Sequence, residues 1–242
     1  MQNKWYWIFR NIIFGPFLRV YNRPEIVGVD NIPSTGPAII ASNHQSVMDS
    51  FFLPLLCPRQ ITFLAKAEYF NGTTLVGRLQ KWFFTSSGSR PVNRTSASAG
   101  QDAMNTAVEV LNDGDLFGIY PEGTRSPDGR LYKGKTGVAR IALASGAQVI
   151  PVAMIGTRDV NPIGTWFPRP GKVRVKVGDP IYPIEFVNNR GLERDSYEAI
   201  RALTDHIMRQ LQQLSGQEYA DVYAAEVKKA LAEGGDSSPH NP

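Results

Sequence analysis

Short apolar runs alternate with stretches of helical periodicity along most of this chain, and that alternation limits the fold more than any other feature. Residues 36–42 (GPAIIAS) read as a buried strand, 43–56 as a helix and 61–65 as a second strand. Residues 96–112 read as a helix that Ser96 or Ser98 can cap, with Met104, Val108 and Leu111 on one face and Asn-Asp-Gly at its end. A strand over 116–120, a helix over 137–145 closed by Gly146, and a strand over 149–155 follow. Residues 172–177 (KVRVKV) alternate strictly, which gives a strand one apolar and one basic face. Asp195 with Glu198 can form a capping box on a helix running to about residue 214. The expectation is a single α/β domain over 25–216, with a central mixed, largely parallel sheet flanked by helices. A C-terminal helix and loose tail are expected over 217–242.

The 24 residues before that domain differ in charge. The chain carries 26 Lys+Arg against 22 Asp+Glu, and its whole excess lies in Lys4, Arg10, Arg19 and Arg23, ahead of the first acid, Glu25. Trp5, Ile8, Phe9, Ile12, Ile13, Phe17 and Val20 recur there at helical spacing, and Gly15-Pro16 is expected to break or kink the helix. A helix over 4–14 spans only about 16 Å against a hydrocarbon core of ~30 Å. Arg10 and Asn11 interrupt the apolar run and no small-residue cleavage site follows, which argues against a transmembrane span or a secretory signal. Two readings remain: an amphipathic anchor drawn to anionic headgroups, or a helix docked on the protein itself. The single cysteine, Cys57, excludes an intramolecular disulfide and a zinc site of several cysteines; within FFLPLLCP it reads as a small buried hydrophobe.

Gly129-Arg-Leu-Tyr-Lys-Gly134-Lys135-Thr136 matches the phosphate-loop pattern G-x4-G-K-[ST] letter for letter. That mechanism needs a strand leading directly into the loop, and here EGTRSPDG intervenes. The context argues against a nucleotide site.

Of three histidines, His44 stands apart: it follows a strand and has Asp49 five residues later. A carboxylate that orients an imidazole makes a minimal general base, and histidine titrates close to neutral pH. In an ideal helix five residues separate two side chains by about 140°. The pair can therefore meet only if His44 precedes the regular helix and folds back. The other reading makes His44 or Asn43 an N-cap and Asp49 a first-turn charge.

Asn43-His-Gln-Ser-Val-Met-Asp49 resembles the first motif, N-H-x4-D, of the glycerolipid acyltransferase family that includes 1-acyl-sn-glycerol-3-phosphate acyltransferase. Gly88-Ser-Arg-Pro-Val-Asn-Arg94 is similar to its second block. Tyr120-Pro-Glu-Gly-Thr-Arg-Ser126 resembles the third, F-P-E-G-T-R-S, and Val149-Ile-Pro-Val152 the fourth. Lys66 falls where the family often has a lysine. The resemblance covers roughly residues 25–182; Arg90 and Ala153 stand where the family usually has other types.

The resemblance implies transfer of an acyl group from acyl-CoA or acyl carrier protein to the free hydroxyl of lysophosphatidic acid. His44 would be the general base assisted by Asp49, attack being direct with no acyl-enzyme. Arg94, Arg125 and Lys66 would take the phosphate, since arginine forks suit phosphate oxygens. Glu122 would hold Arg125 or a glycerol hydroxyl, and Gly123 and Thr124 would turn backbone N–H groups towards substrate. Asn43, Ser46, Gly88, Pro121, Ser126 and Pro151 would support these motifs. The resemblance further implies no metal or cofactor beyond the thioester, no nucleic acid, and membrane association on the cytoplasmic face through residues 1–24, peripheral or monotopic. Other acceptors are glycerol 3-phosphate or another lysophospholipid. The rivals are a membrane-associated thioesterase, for which Ser46 lacks a G-x-S-x-G elbow and Cys57 lacks polar surroundings, and a non-catalytic lipid-binding scaffold.

Overall fold

The computed structural model describes residues 4–86, 88–92, 99–165 and 167–233. In chain order its strands are β1 (Glu25–Val27), β2 (Ala38–Ser42), β3 (Ile61–Lys66), β4 (Arg90–Val92), β5 (Leu116–Ile119), β6 (Leu131–Tyr132), β7 (Gln148–Ile155), β8 (Arg174–Val177) and β9 (Tyr219–Ala220). The α-helices are α1 (Lys4–Ile8), α2 (Phe14–Tyr21), α3 (Asp49–Leu56), α4 (Leu75–Ser86), α5 (Ala99–Asn112), α6 (Gly137–Ser145), α7 (Thr157–Val160), α8 (Pro183–Asn188), α9 (Tyr197–Ser215) and α10 (Ala224–Ala232).

Seven strands form one sheet in the order β1-β8-β7-β2-β5-β3-β4, and β6 pairs with β9 in a separate ribbon. Every pairing in the large sheet is parallel except β7 with β8. This is the expected α/β domain with a mixed, mostly parallel sheet. β2 lies at its centre and is buried along its whole length, as a strand covered on both faces must be. Its side chains alternate between two cores. Ile39 and Ala41 join α5, α6, α8 and α9, whereas Ala38 and Ile40 join α2 and α3. Chain leaving β2 therefore crosses to one face and chain leaving β5 to the other. The crevice between their carboxyl ends is where open α/β sheets bind ligands.

Two expectations change in detail, and a third falls partly outside the described residues. The helix expected from residue 43 starts at Asp49, because Asn43–Met48 spends its polar groups on the contacts described below. Ser196, not Asp195, caps α9, and its Oγ accepts the Ala199 N–H at 3.1 Å. The helix expected from 96 is described from Ala99; Ser96 and Ser98 lie outside the described residues.

Gly15-Pro16 does not break the N-terminal helix. A wide π turn over Phe9–Ile13 precedes it, and α2 carries on through both residues. A Cβ on Gly15 would lie 1.7 Å from the Arg10 carbonyl oxygen, so only glycine allows that approach. The segment docks on the domain: Leu18 is buried in the α3 core, and the Tyr6 hydroxyl donates to the Pro54 carbonyl at 2.9 Å. Among the described residues no helix is long and apolar enough to cross a membrane.

Candidate active site

The loop from β2 to α3 is built around one carboxylate oxygen. Asp49 Oδ2 accepts the backbone N–H groups of Gln45 at 2.6 Å and Ser46 at 2.8 Å, and lies 2.9 Å from His44 Nδ1. Asp49 is fully buried, which costs several kcal/mol for a bare charge. Charge-assisted hydrogen bonds are worth roughly 1.5–3 kcal/mol each, so three donors on one oxygen offset that cost. Wrapping the loop round Asp49 is also what keeps residues 43–48 out of the helix and lets His44 fold back to it.

The remaining loop residues are tied down behind His44. Asn43 pairs with the backbone of Met154 in β7, its amide donating at 3.0 Å and its Oδ1 accepting at 2.6 Å. The Ser46 hydroxyl donates to Asn161 and accepts the Met48 N–H at 3.2 Å, so it serves the loop. Cys57 is fully buried, and burial pushes its thiol up to about 11.

The turn after β5 supplies the facing wall. The Tyr120 ring stacks on the His44 imidazole with centroids 3.9 Å apart and planes 11° from parallel, and Phe63 stacks beyond it. The Tyr120 hydroxyl lies 3.1 Å from Ser50 Oγ. Glu122 is buried and its two oxygens accept the N–H groups of His44 at 2.9 Å and Tyr132 at 3.0 Å. It straps the two loops together through main chain, where the resemblance implied a grip on Arg125 or a glycerol hydroxyl. Burial pushes its carboxyl up to about 8, against the two N–H donors that favour the anion. The Ser126 N–H closes the arrangement on the His44 carbonyl at 2.8 Å.

A cleft of about 990 Å³ opens beside His44. Arg125, Lys135 and Arg140 line it with positive charge, and Phe63, Leu64, Phe84, Met104 and Ile141 with apolar surface. His44 Nε2 carries no hydrogen bond to the described residues, so the ring presents a free acceptor or donor to this space.

The other predicted residues fall in several places. Gly123 takes φ +73° and spends its N–H on the Tyr120 carbonyl at 2.9 Å, closing the turn where it was expected to face substrate, and Thr124 accepts a hydrogen bond from Lys228 Nζ at 2.6 Å. Pro121 receives the Lys135 N–H at 2.8 Å, and Ser126 Oγ receives that of Gly129 at 2.9 Å. Lys66 ends β3 in register with Val92 of β4, and Gly88 forms the turn leading into β4. Arg94 lies outside the described residues. Arg90, the departure in the second block, pairs with Asp113 at 3.2 Å on the surface. Pro151 is internal to β7, where its carbonyl accepts the Gly178 N–H at 2.8 Å. Its missing N–H faces the same side, at a gap in the ladder between the Val149–Ile181 bridge and the β8 pairing, so the proline costs no bond.

Three contributors lacked a clear sequence signal. Tyr120 was the first letter of a motif whose physical role the stack now supplies. Lys135 sat in the discarded phosphate-loop match, and Lys228 arrives from a helix far along the chain.

An acyltransferase family model matches residues 23–155, more than half of the chain. The chain belongs to the acyltransferase family. The matched span holds His44, Asp49 and the Tyr120–Ser126 turn. The chain is 32% identical over 177 residues to a chloroplastic 1-acyl-sn-glycerol-3-phosphate acyltransferase of Arabidopsis thaliana, covering 72% of this chain and 47% of that protein. It thus spans about half the length of the curated plant acyltransferases it matches first. A Bacillus subtilis 1-acyl-sn-glycerol-3-phosphate acyltransferase is 27% identical over 198 residues, 81% of this chain and 87% of its own length. The crystal structure of the 1-acyl-sn-glycerophosphate acyltransferase PlsC from Thermotoga maritima superposes with a TM-score of 0.62 at 28% identity, covering 83% of this chain and 76% of that one.

Proposed function

We propose that this acyltransferase family member moves a fatty acyl group from a thioester to the free hydroxyl of 1-acyl-sn-glycerol 3-phosphate, giving phosphatidic acid. The observation that carries the reading is the His44 imidazole, tethered by buried Asp49 at 2.9 Å and standing on the wall of a cleft lined by both basic and apolar side chains. His44 Nε2 takes the proton of the acceptor hydroxyl as its oxygen attacks the thioester carbonyl. Asp49 steadies the imidazolium. The tetrahedral adduct collapses, the carbon–sulfur bond breaks, and the thiolate recovers the proton from His44. No acyl-enzyme is formed, and the reaction so read needs no cofactor beyond the thioester, carried on coenzyme A or acyl carrier protein. Arg125, which lines the cleft, takes the acceptor phosphate, and the family motifs add Arg94 and Lys66 to that role. The protein works at the cytoplasmic face of a membrane, held there peripherally through residues 1–24.

Purified protein given lysophosphatidic acid and a long-chain acyl-CoA is expected to form phosphatidic acid. His44→Ala should lower kcat by roughly 10²–10⁴-fold, the usual worth of a positioned general base. Full activity in that variant would sink the mechanism. Thioester hydrolysis without an acceptor requirement points instead to a thioesterase. Faster turnover with glycerol 3-phosphate or another lysophospholipid reassigns the acceptor, and no turnover with any of them leaves a lipid-binding scaffold.

A further inference from the structure

The G-x4-G-K-T stretch has no place in the mechanism above, yet its lysine and threonine line the same cleft as His44. Lys135 lies across Gly123: a Cβ built there would meet its Cδ, Cε and Nζ at 3.1–3.3 Å. From the opposite end of the chain, α10 sends Lys228 Nζ to within 2.6 Å of Thr124 Oγ1. Two ammonium groups thus meet adjacent residues of one turn, with Arg125 next in sequence and Arg140 lining the same cleft. Neither lysine nor Arg125 is paired with a carboxylate among the described residues, and Arg140 contacts the Thr136 hydroxyl.

No nearby acid forms an ion pair with this group among the described residues, although Glu122 attracts Lys228 from a distance. Glu122 sits behind the turn with its oxygens on main-chain N–H groups. Glu226 lines a smaller adjoining hollow with Lys135 and Thr136, without an ion pair. Burial, and then repulsion from Arg125, hold Lys228 below the usual lysine range, which an incoming anion would relieve. α6 begins at Gly137, directly after Lys135-Thr136, so the free N–H groups of its first turn add to the field.

We propose that Lys135 and Lys228 build a phosphate subsite, in addition to the arginines of the family motifs, that grips a phosphate monoester or diester of a substrate. Which substrate supplies it rests on the acyltransferase reading. The acceptor's glycerol phosphate and the phosphates of the coenzyme A donor present the same chemistry. Lys228 lies outside the family-matched span, so this part of the subsite is contributed by the chain's own C-terminal segment.

The test uses the full chain and Lys135→Met, Lys228→Met, the double variant and Lys228→Arg, with circular dichroism and Tm to establish that each folds. Calorimetric titration with inorganic phosphate at low ionic strength should show binding that the double variant weakens by about tenfold or more, while Lys228→Arg stays within about threefold. Phosphate affinity unchanged in a folded double variant, or no phosphate binding by the wild type, overturns the subsite. Steady-state kinetics assigns the source. A raised KM for lysophosphatidic acid alone places the acceptor phosphate there, and a raised KM for acyl-CoA alone places the donor's. A fall in kcat with both KM values unmoved would mean the lysines only brace the turn, and also overturns it. Phosphate binding that depends on both lysines in a protein with no acyltransferase activity would defeat the reaction proposed above and leave the subsite standing.

Discussion

Asp49 Oδ2 serves His44 and two backbone N–H groups at once, while Oδ1 has no hydrogen-bond partner among the described residues. An asparagine must turn its oxygen to those two N–H groups to avoid opposing donor to donor. Asp49→Asn should therefore keep the loop and lose the negative charge that steadies an imidazolium. The expected result is a kcat lower by roughly 10²–10⁴-fold with KM nearly unchanged and an intact circular dichroism spectrum; activity within about threefold of wild type would mean the carboxylate is only a loop post. Glu122 makes a different prediction, because its folded carboxyl sits at about 8, above the ordinary value of 4.5. The folded state then binds the proton more tightly than the unfolded chain. Its contribution to stability is fully present below about pH 4.5 and is lost as pH rises through about 8. Glu122→Gln cannot titrate, so the stability gap between variant and wild type should shift in the variant's favour by an amount on the order of 4 kcal/mol between pH 4.5 and 8. Urea unfolding at both pH values measures it, and an unchanged gap would show that Glu122 titrates alike in the folded and unfolded chain.

At the scale of elements, strands and helices with strong periodicity were legible: β2, β5, β7 and α6 lie within or close to the expected spans. Those whose form depends on a distant partner were not. β1 and β4 are three residues each, and β6 and β9 only two, too short to show a period and held by pairing alone. The site divides the same way. Spacing could say that His44 and Asp49 meet only outside a helix, which is how they meet. It could not say that Glu122 would turn to main chain, because that depends on where β6 brings the Tyr132 N–H. Nor did Gly15-Pro16 announce a π turn: proline predicts a lost hydrogen bond, and the fold absorbs it by widening the preceding turn. Gly15→Ala tests that account. Its Cβ would have to sit 1.7 Å from the Arg10 oxygen, so the turn must unwind and loosen Tyr6 from Pro54. Overpacking of this kind costs about 1–3 kcal/mol. A lowered Tm together with altered tryptophan fluorescence from the Trp5–Trp82 edge-to-face pair is expected; an unchanged Tm would show that the π turn has an equally good α-helical alternative.

For the whole molecule, docking and membrane binding by the N-terminal segment are compatible, because they use different sides of the same helices. Tyr6 and Leu18 face the domain, whereas Trp7, Ile12 and Val20 are 52%, 59% and 80% exposed. Trp5, Ile13 and Phe17 are also exposed, and Phe17 packs with Tyr21 and Phe167 from the loop after α7. Exposed apolar surface of this extent, flanked by Lys4, Arg10, Arg19 and Arg23 without an acid, fits a lipid interface. Its place also suits the chemistry: Tyr6 bonds the carbonyl of Pro54, and Pro54 lines the cleft that holds His44. A lysolipid acceptor would then have only a short path from bilayer to base. Deleting the segment is a poor test, since losing Leu18 would uncover Phe52, Leu55 and Cys57 in the core beneath it. The triple variant Trp7→Ala, Ile12→Ser, Ile13→Ser removes outward surface alone. Three lost apolar contacts at ~25 cal/mol per Å² should weaken sedimentation with phosphatidylserine vesicles by at least about tenfold, leaving Tm and turnover of detergent-dispersed substrate close to wild type. Residual binding should fall further with added salt, as each surface cation contributes about 1 kcal/mol that ions screen. Vesicle binding equal to wild type would leave the segment as a docking helix only, and the route of the lipid to His44 would then have to start from another face.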